Sequence, residues 1–305
     1  MGGDARALAV GVIGLGAMGG GIAQSLRRAH FDVHVFDVRQ EAAQAFARDG
    51  GTACATAAQL AAACDVVVSA VVSAAQTDEV LFGARGAGGA AAAMRKGSAF
   101  VMCSTVDANW SSALEVRLEE RGLLYLDAPM SGGAAKAATG ELTMMTSGRP
   151  QAYAKCQPVL DAMAAKVYKL GDRAGAGSKV KTVHQLLAGV HIAAAAEAMA
   201  LGLREGVDPE ALYEVITNSA GNSWMFGNRM AHVLAGDYTP LSSVDIFVKD
   251  LGLVLDLARG SKFPLPLAST AHQMFMQASS AGHAREDDSA VIKIFPGIQL
   301  PEKKQ

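Results

Sequence analysis

Residues Gly11 to Gly20 read "GVIGLGAMGG", between an apolar run, "LAVGVIG" (8–14), and a stretch of helical periodicity that lasts until about His30. A G-x-G-x-x-G pattern alone is weak evidence, but between a strand and a helix it has the setting its chemistry needs. There the glycines allow a tight turn and let a pyrophosphate approach the first N–H groups of the helix, which favour an anion. Gly14, Leu15, Gly16, Ala17 and Met18 are therefore candidate cofactor-binding residues. The next apolar run, "DVHVFDV" (32–38), carries Asp37 about twenty residues beyond the loop, where a carboxylate can hydrogen-bond adenosine ribose hydroxyls. Asp37 repels a 2′-phosphate, so NAD is expected and NADP is the less favoured cofactor. Arg39 works the other way, because a nearby arginine can accommodate that phosphate; its plainer reading is a solvated residue opening a helix.

Outward from the loop, short apolar runs alternate with helical stretches. "DVVVSAVV" (65–72), "SAFVMCST" (98–105), "LLYLDAPM" (123–130), "LTMMTSG" (142–148) and "KVYKL" (166–170) are the further predicted strands. Alternation of this kind specifies an α/β fold with a mainly parallel sheet and helices on both faces. "GARGAGGAAAAMRKG" (83–97) reads as a surface loop leading into a short helix. Past residue 172 comes "GAGSKVKTVHQLLAGVHIAAAAEAMALG", a long, largely buried helix. Lys181, His184 and Gln185 stand at i, i+3 and i+4 on it and share one face, while Lys179 points elsewhere. A structural helix start does not need that trio.

Half of the 305 residues are hydrophobic, more than two domain cores require, which points to a buried subunit interface in a homodimer or homotetramer. Lys plus Arg (27) nearly balances Asp plus Glu (29), so neither nucleic acid nor an anionic membrane is an expected partner. Cys54, Cys64, Cys103 and Cys156 show no zinc or redox spacing and read as reduced thiols. His191 lies on the His184 face but about 10 Å further along the axis, too far to share an ion, so no metal is expected. The N-terminus has no basic n-region or cleavage pattern, and Arg6 stands where a myristoylation signal wants Ser or Thr. No apolar run reads as long enough, free of charge and turn residues, to span a bilayer. A cytoplasmic protein is expected.

Together, "GVIGLGAMGGGIA", "DAPMSGG" and "GAGSKVKTVHQ", in this order over nearly the whole chain, resemble the β-hydroxyacid dehydrogenase family. The resemblance implies a Rossmann-like doubly wound domain (1–172) and an all-α substrate and oligomerisation domain (173–305), joined by a long interdomain helix. It implies NAD-dependent oxidation of a small hydroxy acid, with Lys181 as general acid/base in a G-x-G-x-x-x-K pattern set by Gly175 and Gly177. The Ser131-Gly132-Gly133 turn exposes backbone N–H groups and a hydroxyl, which suits a carboxylate; by resemblance it holds the substrate's acid group, and Lys136 could add charge. Val71, Val72 and Gln76 match a loop along the cofactor, although "VVSAAQ" lacks the proline common there. Thr105 matches a threonine near the nicotinamide, and Lys249 of "FVKDLGLVLDLA" would reach back to the cofactor with Asp250 orienting it or capping a turn.

His184 departs from the family, most of whose members carry Asn there. It can hydrogen-bond substrate, add a second titrating group, or be structural. Gln185, Asn222, Ser223, Trp224 and Phe226 are expected at the substrate pocket, with Trp224 and Phe226 fitting a core equally well. "GNSWMFGNRM" and the late "DDSAVIKIFPGI" resemble the branch of the family that oxidises the C2 hydroxyl of a four-carbon sugar acid. Oxidation of 3-hydroxyisobutyrate and reduction of tartronate semialdehyde are the alternatives. A non-catalytic dinucleotide-binding protein would not need Lys181, and imine reductases of related fold usually replace that lysine. The final "LPEKKQ" reads as a frayed tail.

Overall fold

Valine-rich segments become the centre of a parallel sheet because both of its faces are covered, so no polar alternation is required of them. β1 (Ala9–Ile13), β4 (Val66–Ser69) and β5 (Ala99–Met102) are buried along their whole length. With β2 (Asp32–Phe36), β3 (Thr52–Ala53) and β6 (Leu124–Asp127) they form a six-stranded sheet in the order β3-β2-β1-β4-β5-β6, parallel throughout. The computed structural model describes residues 8–83 and 88–303. Residues 1–7, with Arg6, and 84–87 of the expected surface loop lie outside the described residues.

Alternate residues of β1 feed two cores. Val10 and Val12 pack with Ile22 and Leu26 of α1 (Ala17–Arg28) on one face, and Ile13 joins Leu60, Phe100 and Leu114 on the other. Helices α2 (Gln40–Arg48), α3 (Ala57–Ala63), α4 (Ala74–Phe82), α5 (Ala90–Ala93) and α6 (Ala108–Glu119) complete the two layers. The strand order reverses between β1 and β4, and the crevice at the carboxyl ends there is where doubly wound sheets bind ligands.

The runs 142–148 and 166–170 do not extend this sheet, contrary to a single mainly parallel one. β7 (Met130–Ser131), β8 (Leu142–Thr146) and β9 (Ala164–Lys169) make a separate three-stranded sheet, with β7 antiparallel to β8. The chain turns back through α7 (Gly133–Thr139), and a backbone bridge between Asp127 and Ser147 links the end of β6 to this second sheet. α8 (Pro150–Met163) packs Val159, Leu160 and Met163 into the α1-side core.

The chain divides into two compact units at Lys181/Thr182, a boundary inside α9 (Ala176–Arg204). The second unit continues α9 and adds α10 (Pro209–Thr217), α11 (Trp224–Ala235), α12 (Val244–Ser261) and α13 (Pro266–Ala278), ending in a π-helical turn (279–283) and a 3-10 helix (288–294). Ile192, Met199, Phe226, Met230, Phe247 and Phe275 lie in its core, where the Phe247 and Phe275 rings stack 5.2 Å apart. Arg229 grips Asp288 with Nε at 2.5 Å and Nη2 at 3.0 Å, and Asp287 accepts from His232 Nδ1 at 3.0 Å.

Two expectations need correction. The end of the chain is not frayed through Lys303: its Nζ donates to Asp237 at 2.9 Å, and its backbone passes so close to Gly236 that a Cβ there would sit 2.4 Å from Lys303 N. Residues 304–305 lie outside the described residues. α9 is also long and apolar enough to cross a membrane by length and composition, because its few charged residues are too widely spaced to break an apolar window. Ile192, Ala196 and Met199 put part of it in the helical unit's core.

Candidate active site

At the carboxyl end of β1, the Gly14 N–H donates to Phe36 O at 2.9 Å and the Leu15 N–H to Asp37 Oδ2 at 2.6 Å. The glycines divide two tasks. A Cβ on Gly19 would lie 1.8 Å from Gly14 O, so Gly19 lets the loop close on the helix. A Cβ on Gly16 would meet nothing within 4 Å, so the N-cap of α1 faces open space. That is the arrangement a pyrophosphate loop needs, and Ala17 and Met18 form the first turn beside it.

Asp37 is buried and binds Arg39 through Oδ1, with the backbone N at 2.8 Å and Nε at 3.2 Å. Burial pushes its carboxyl up, but the Arg39 hydrogen bonds and the Leu15 N–H outweigh burial and hold it below the ordinary carboxylate value. Thus Asp37 staples the glycine loop to β2 while its Arg39 partner exposes most of its side chain beside the loop.

Beyond β4 and β5, the Val72 N–H donates to Gln76 Oε1 at 2.8 Å, and Ser73 caps α4 by accepting from the Gln76 N–H at 3.2 Å. Gln76 therefore shapes its own loop with its carbonyl oxygen. Ser104, which the sequence reading missed, donates to Val71 O at 2.6 Å and ties this loop to the segment bearing Thr105. The sequence carries no signal for this bond, because its acceptor lies 33 residues away. Ser131 ends β7, and Gly132 and Gly133 turn with positive φ into α7, which carries Lys136.

The start of α9 is built on a residue the sequence reading also passed over. Asp127, fully buried at the end of β6, accepts from the N–H groups of Gly175 and Ser178, each at 2.9 Å, and from Ser178 Oγ at 2.7 Å. Burial raises its pKa and these donors oppose the rise. Lys181, one turn on, is 6% exposed, whereas Lys179 is exposed.

In the helical unit, Gln185 Nε2 donates to Asp250 Oδ2 at 2.5 Å, and Lys249 Nζ lies 2.6 Å from Asp250 Oδ1. Gln185 Oε1 is 3.0 Å from His184 Nδ1. A carboxylate only accepts, so the amide turns its NH2 to Asp250 and its oxygen to His184. His184 Nδ1 then carries the proton and, in the neutral ring, Nε2 is the acceptor. Gln185 orients His184 by this chain. His191 is exposed, and among the described residues no cluster of three or more His, Cys, Asp or Glu is placed to hold a metal ion.

Ahead of α11, Asn222 Nδ2 donates to Thr217 O at 3.0 Å, and Ser223 accepts from the Phe226 N–H at 3.0 Å as a helix cap. Phe226 is core, stacked on Tyr213 at 6.0 Å, while Trp224 is 60% exposed.

Two family models cover the chain: the NAD binding domain of 6-phosphogluconate dehydrogenase matches residues 9–171, and the NAD-binding domain of NADP-dependent 3-hydroxyisobutyrate dehydrogenase matches 175–295. The chain is 67% identical over 296 residues to an L-threonate dehydrogenase of Cupriavidus necator, covering 97% of this chain and 99% of that one. It is 54% identical to an L-threonate dehydrogenase of Haemophilus influenzae, covering 96% and 97%. A crystal structure described as 3-hydroxyisobutyrate dehydrogenase from Salmonella typhimurium superposes with a TM-score of 0.90 at 52% identity, covering 94% of this chain and all (100%) of that one.

Proposed function

Because the chain belongs to the β-hydroxyacid dehydrogenase family and is an NAD(P)-dependent oxidoreductase acting on a hydroxy acid, we propose that its substrate is L-threonate, oxidised at C2 to 2-oxotetronate. One observation carries this reading: the Asp250–Gln185–His184 chain ends in a ring nitrogen oriented as an acceptor, one helical turn from Lys181. A sugar acid offers hydroxyl groups beyond the reacting one to such an acceptor. The methyl group of 3-hydroxyisobutyrate offers nothing to it.

The glycine loop, Asp37, the 71–76 loop, Thr105 and Lys249 are the residues that would hold the dinucleotide, and the open side of Gly16 fits a pyrophosphate. NAD, favoured over NADP by Asp37, supplies the hydride acceptor. Ser131, Gly132 and Gly133 hold the substrate carboxylate with backbone N–H groups and a hydroxyl. Lys181, as the amine, takes the proton of the reacting hydroxyl as hydride departs, and returns it to the alkoxide in the reverse direction. His184 accepts from a neighbouring hydroxyl, and Asn222 and Trp224 bound the far end of the pocket.

Residues 1–172 serve the dinucleotide, and 173–305 serve substrate and subunit contacts. Val180, Val183 and Leu187, exposed on one face of α9, support a homodimer or homotetramer. The free thiols of Cys54, Cys64, Cys103 and Cys156 support a cytoplasmic enzyme, and a sugar-acid substrate would place it in carbohydrate metabolism. The similarity to the Salmonella typhimurium structure favours a second reading, oxidation of 3-hydroxyisobutyrate. Product analysis by NMR after incubation with NAD and L-threonate tests the first: a ketone at C2 is expected. Unchanged threonate beside an oxidised 3-hydroxyisobutyrate control would assign the second.

A further inference from the structure

We infer that Asp127 is a positioning residue for catalysis, acting through Lys181; the inference rests on the reading of Lys181 as the proton-transfer group. Most helices are capped by the residue just before their first turn. α9 is instead held by a strand residue from far back in the chain. Asp127 Oδ2 accepts from the Gly175 and Ser178 N–H groups and Oδ1 accepts from Ser178 Oγ. Ser147 Oγ accepts from the Gly177 N–H at 2.9 Å, so its own hydrogen turns to Asp127 Oδ2 at 3.1 Å. Four donors thus converge on one carboxylate with no access to solvent.

The glycines of the G-x-G-x-x-x-K pattern serve the same contact. A Cβ on Gly175 would sit 2.4 Å from Ser112 Oγ, and one on Gly177 would sit 2.4 Å from Met145 O. Without side chains there, the first turn of α9 seats directly on β8 and α6. Glu115, also buried, fixes the approach by accepting from Arg173 Nε at 2.7 Å and from the Ala174 N–H at 3.2 Å. The height and rotation of the helix start are thereby set against the sheet.

Ser178 and Lys181 stand at i and i+3, so the residue gripped by Asp127 lies on the Lys181 side of the helix. Burying a carboxylate costs far more than a local Ser or Thr cap would, and a helix start alone does not require it. A lysine that must meet a reacting hydroxyl does require fixed geometry, because a misplacement of about 1 Å can cost about 100-fold in rate.

The test is Asp127→Asn, alone and in a Lys181→Ala background, with kcat on the best hydroxy-acid substrate, NADH affinity by fluorescence, and Tm. An amide keeps the shape but presents NH2 to groups that are themselves donors. The expected result is a fall in kcat of about 10- to 100-fold, unchanged NADH affinity, and no further loss of kcat when added to Lys181→Ala. A loss that persists undiminished in that background, or that appears equally as lost NADH affinity, would mean a general structural role and overturn the inference. Should Asp127→Asn fail to fold, Ser178→Ala and Ser147→Ala each remove one donor to the same carboxylate and should lower kcat several-fold with the same signature; unchanged kcat in both would overturn it. Full activity in Lys181→Ala alone would remove the premise, and that result is read independently of Asp127.

Discussion

Two lysines two positions apart on α9 have opposite surroundings, and the difference is one of helical phase. Lys181 shares a face with His184 and Gln185 and is buried, while Lys179 is exposed. Lys181→Ala should lower kcat by about 10²- to 10⁴-fold with little change in NADH affinity, and Lys179→Ala should be mild. Steady-state kinetics of the pair checks this, and a more damaging Lys179→Ala would contradict it. Asp37 carries a comparable test of cofactor choice. The unmodified protein should show a higher kcat/KM with NAD than with NADP, and Asp37→Asn should narrow the gap by removing a charge that repels a 2′-phosphate. Because Asp37 also holds the Leu15 N–H, part of its effect should appear as lower Tm. Its folded pKa is depressed, so that stability is present above the unfolded value, near about pH 4, and is lost as pH falls below it. The Tm difference between Asp37→Asn and the unmodified protein should therefore shrink below about pH 4.

At the scale of elements, the glycine loop separates folding from binding. Gly16→Ala meets open space and should keep Tm while weakening NADH binding, because the added methyl enters the space a pyrophosphate would use. Gly19→Ala drives a methyl into Gly14 O and should lower both. Thermal melts and fluorescence titration of the two variants separate these outcomes. The loop, β1, β2 and the long helix were legible because each carries a strong local signal: a motif between two periodic segments, or a long apolar helix with a polar face. β3 and β7 were not, since two residues carry no periodicity, and without β7 the antiparallel turn into a second sheet could not be seen. Asp127, Ser104 and Ser147 were missed for a related reason. Each acts across a long sequence separation on a backbone N–H or carbonyl, which leaves no spacing to read.

At the scale of the whole molecule, the helical unit contains a partly buried polar anchor, the His232–Asp287 pair, whose strength depends on pH. His232 is raised above its ordinary value chiefly by its hydrogen bond to Asp287, against a smaller lowering by burial. Asp287 also holds the Ser289 backbone and side chain, so this pair binds α11 to the C-terminal 3-10 helix. A raised pKa means the stabilisation is complete below the unfolded value of about 6.5 and is lost as pH rises through the folded one. Stability relative to His232→Asn should therefore decline on going from mildly acidic to mildly alkaline buffer, as denaturant melts at several pH values would show. A difference that grows with pH would contradict the pairing.

The most direct test of the account is the ratio of kcat/KM for L-threonate to that for 3-hydroxyisobutyrate with NAD, in the unmodified protein and in His184→Leu. A site built to hydrogen-bond a substrate hydroxyl rejects an analogue lacking it by about 10⁴- to 10⁵-fold, whereas an apolar pocket rejects an added hydroxyl by only about 10²-fold. The ratio should favour L-threonate by several orders of magnitude in the unmodified protein and collapse in His184→Leu while NADH affinity holds. Efficient turnover of 3-hydroxyisobutyrate with none of L-threonate would contradict the substrate assignment and the acceptor role of His184 together.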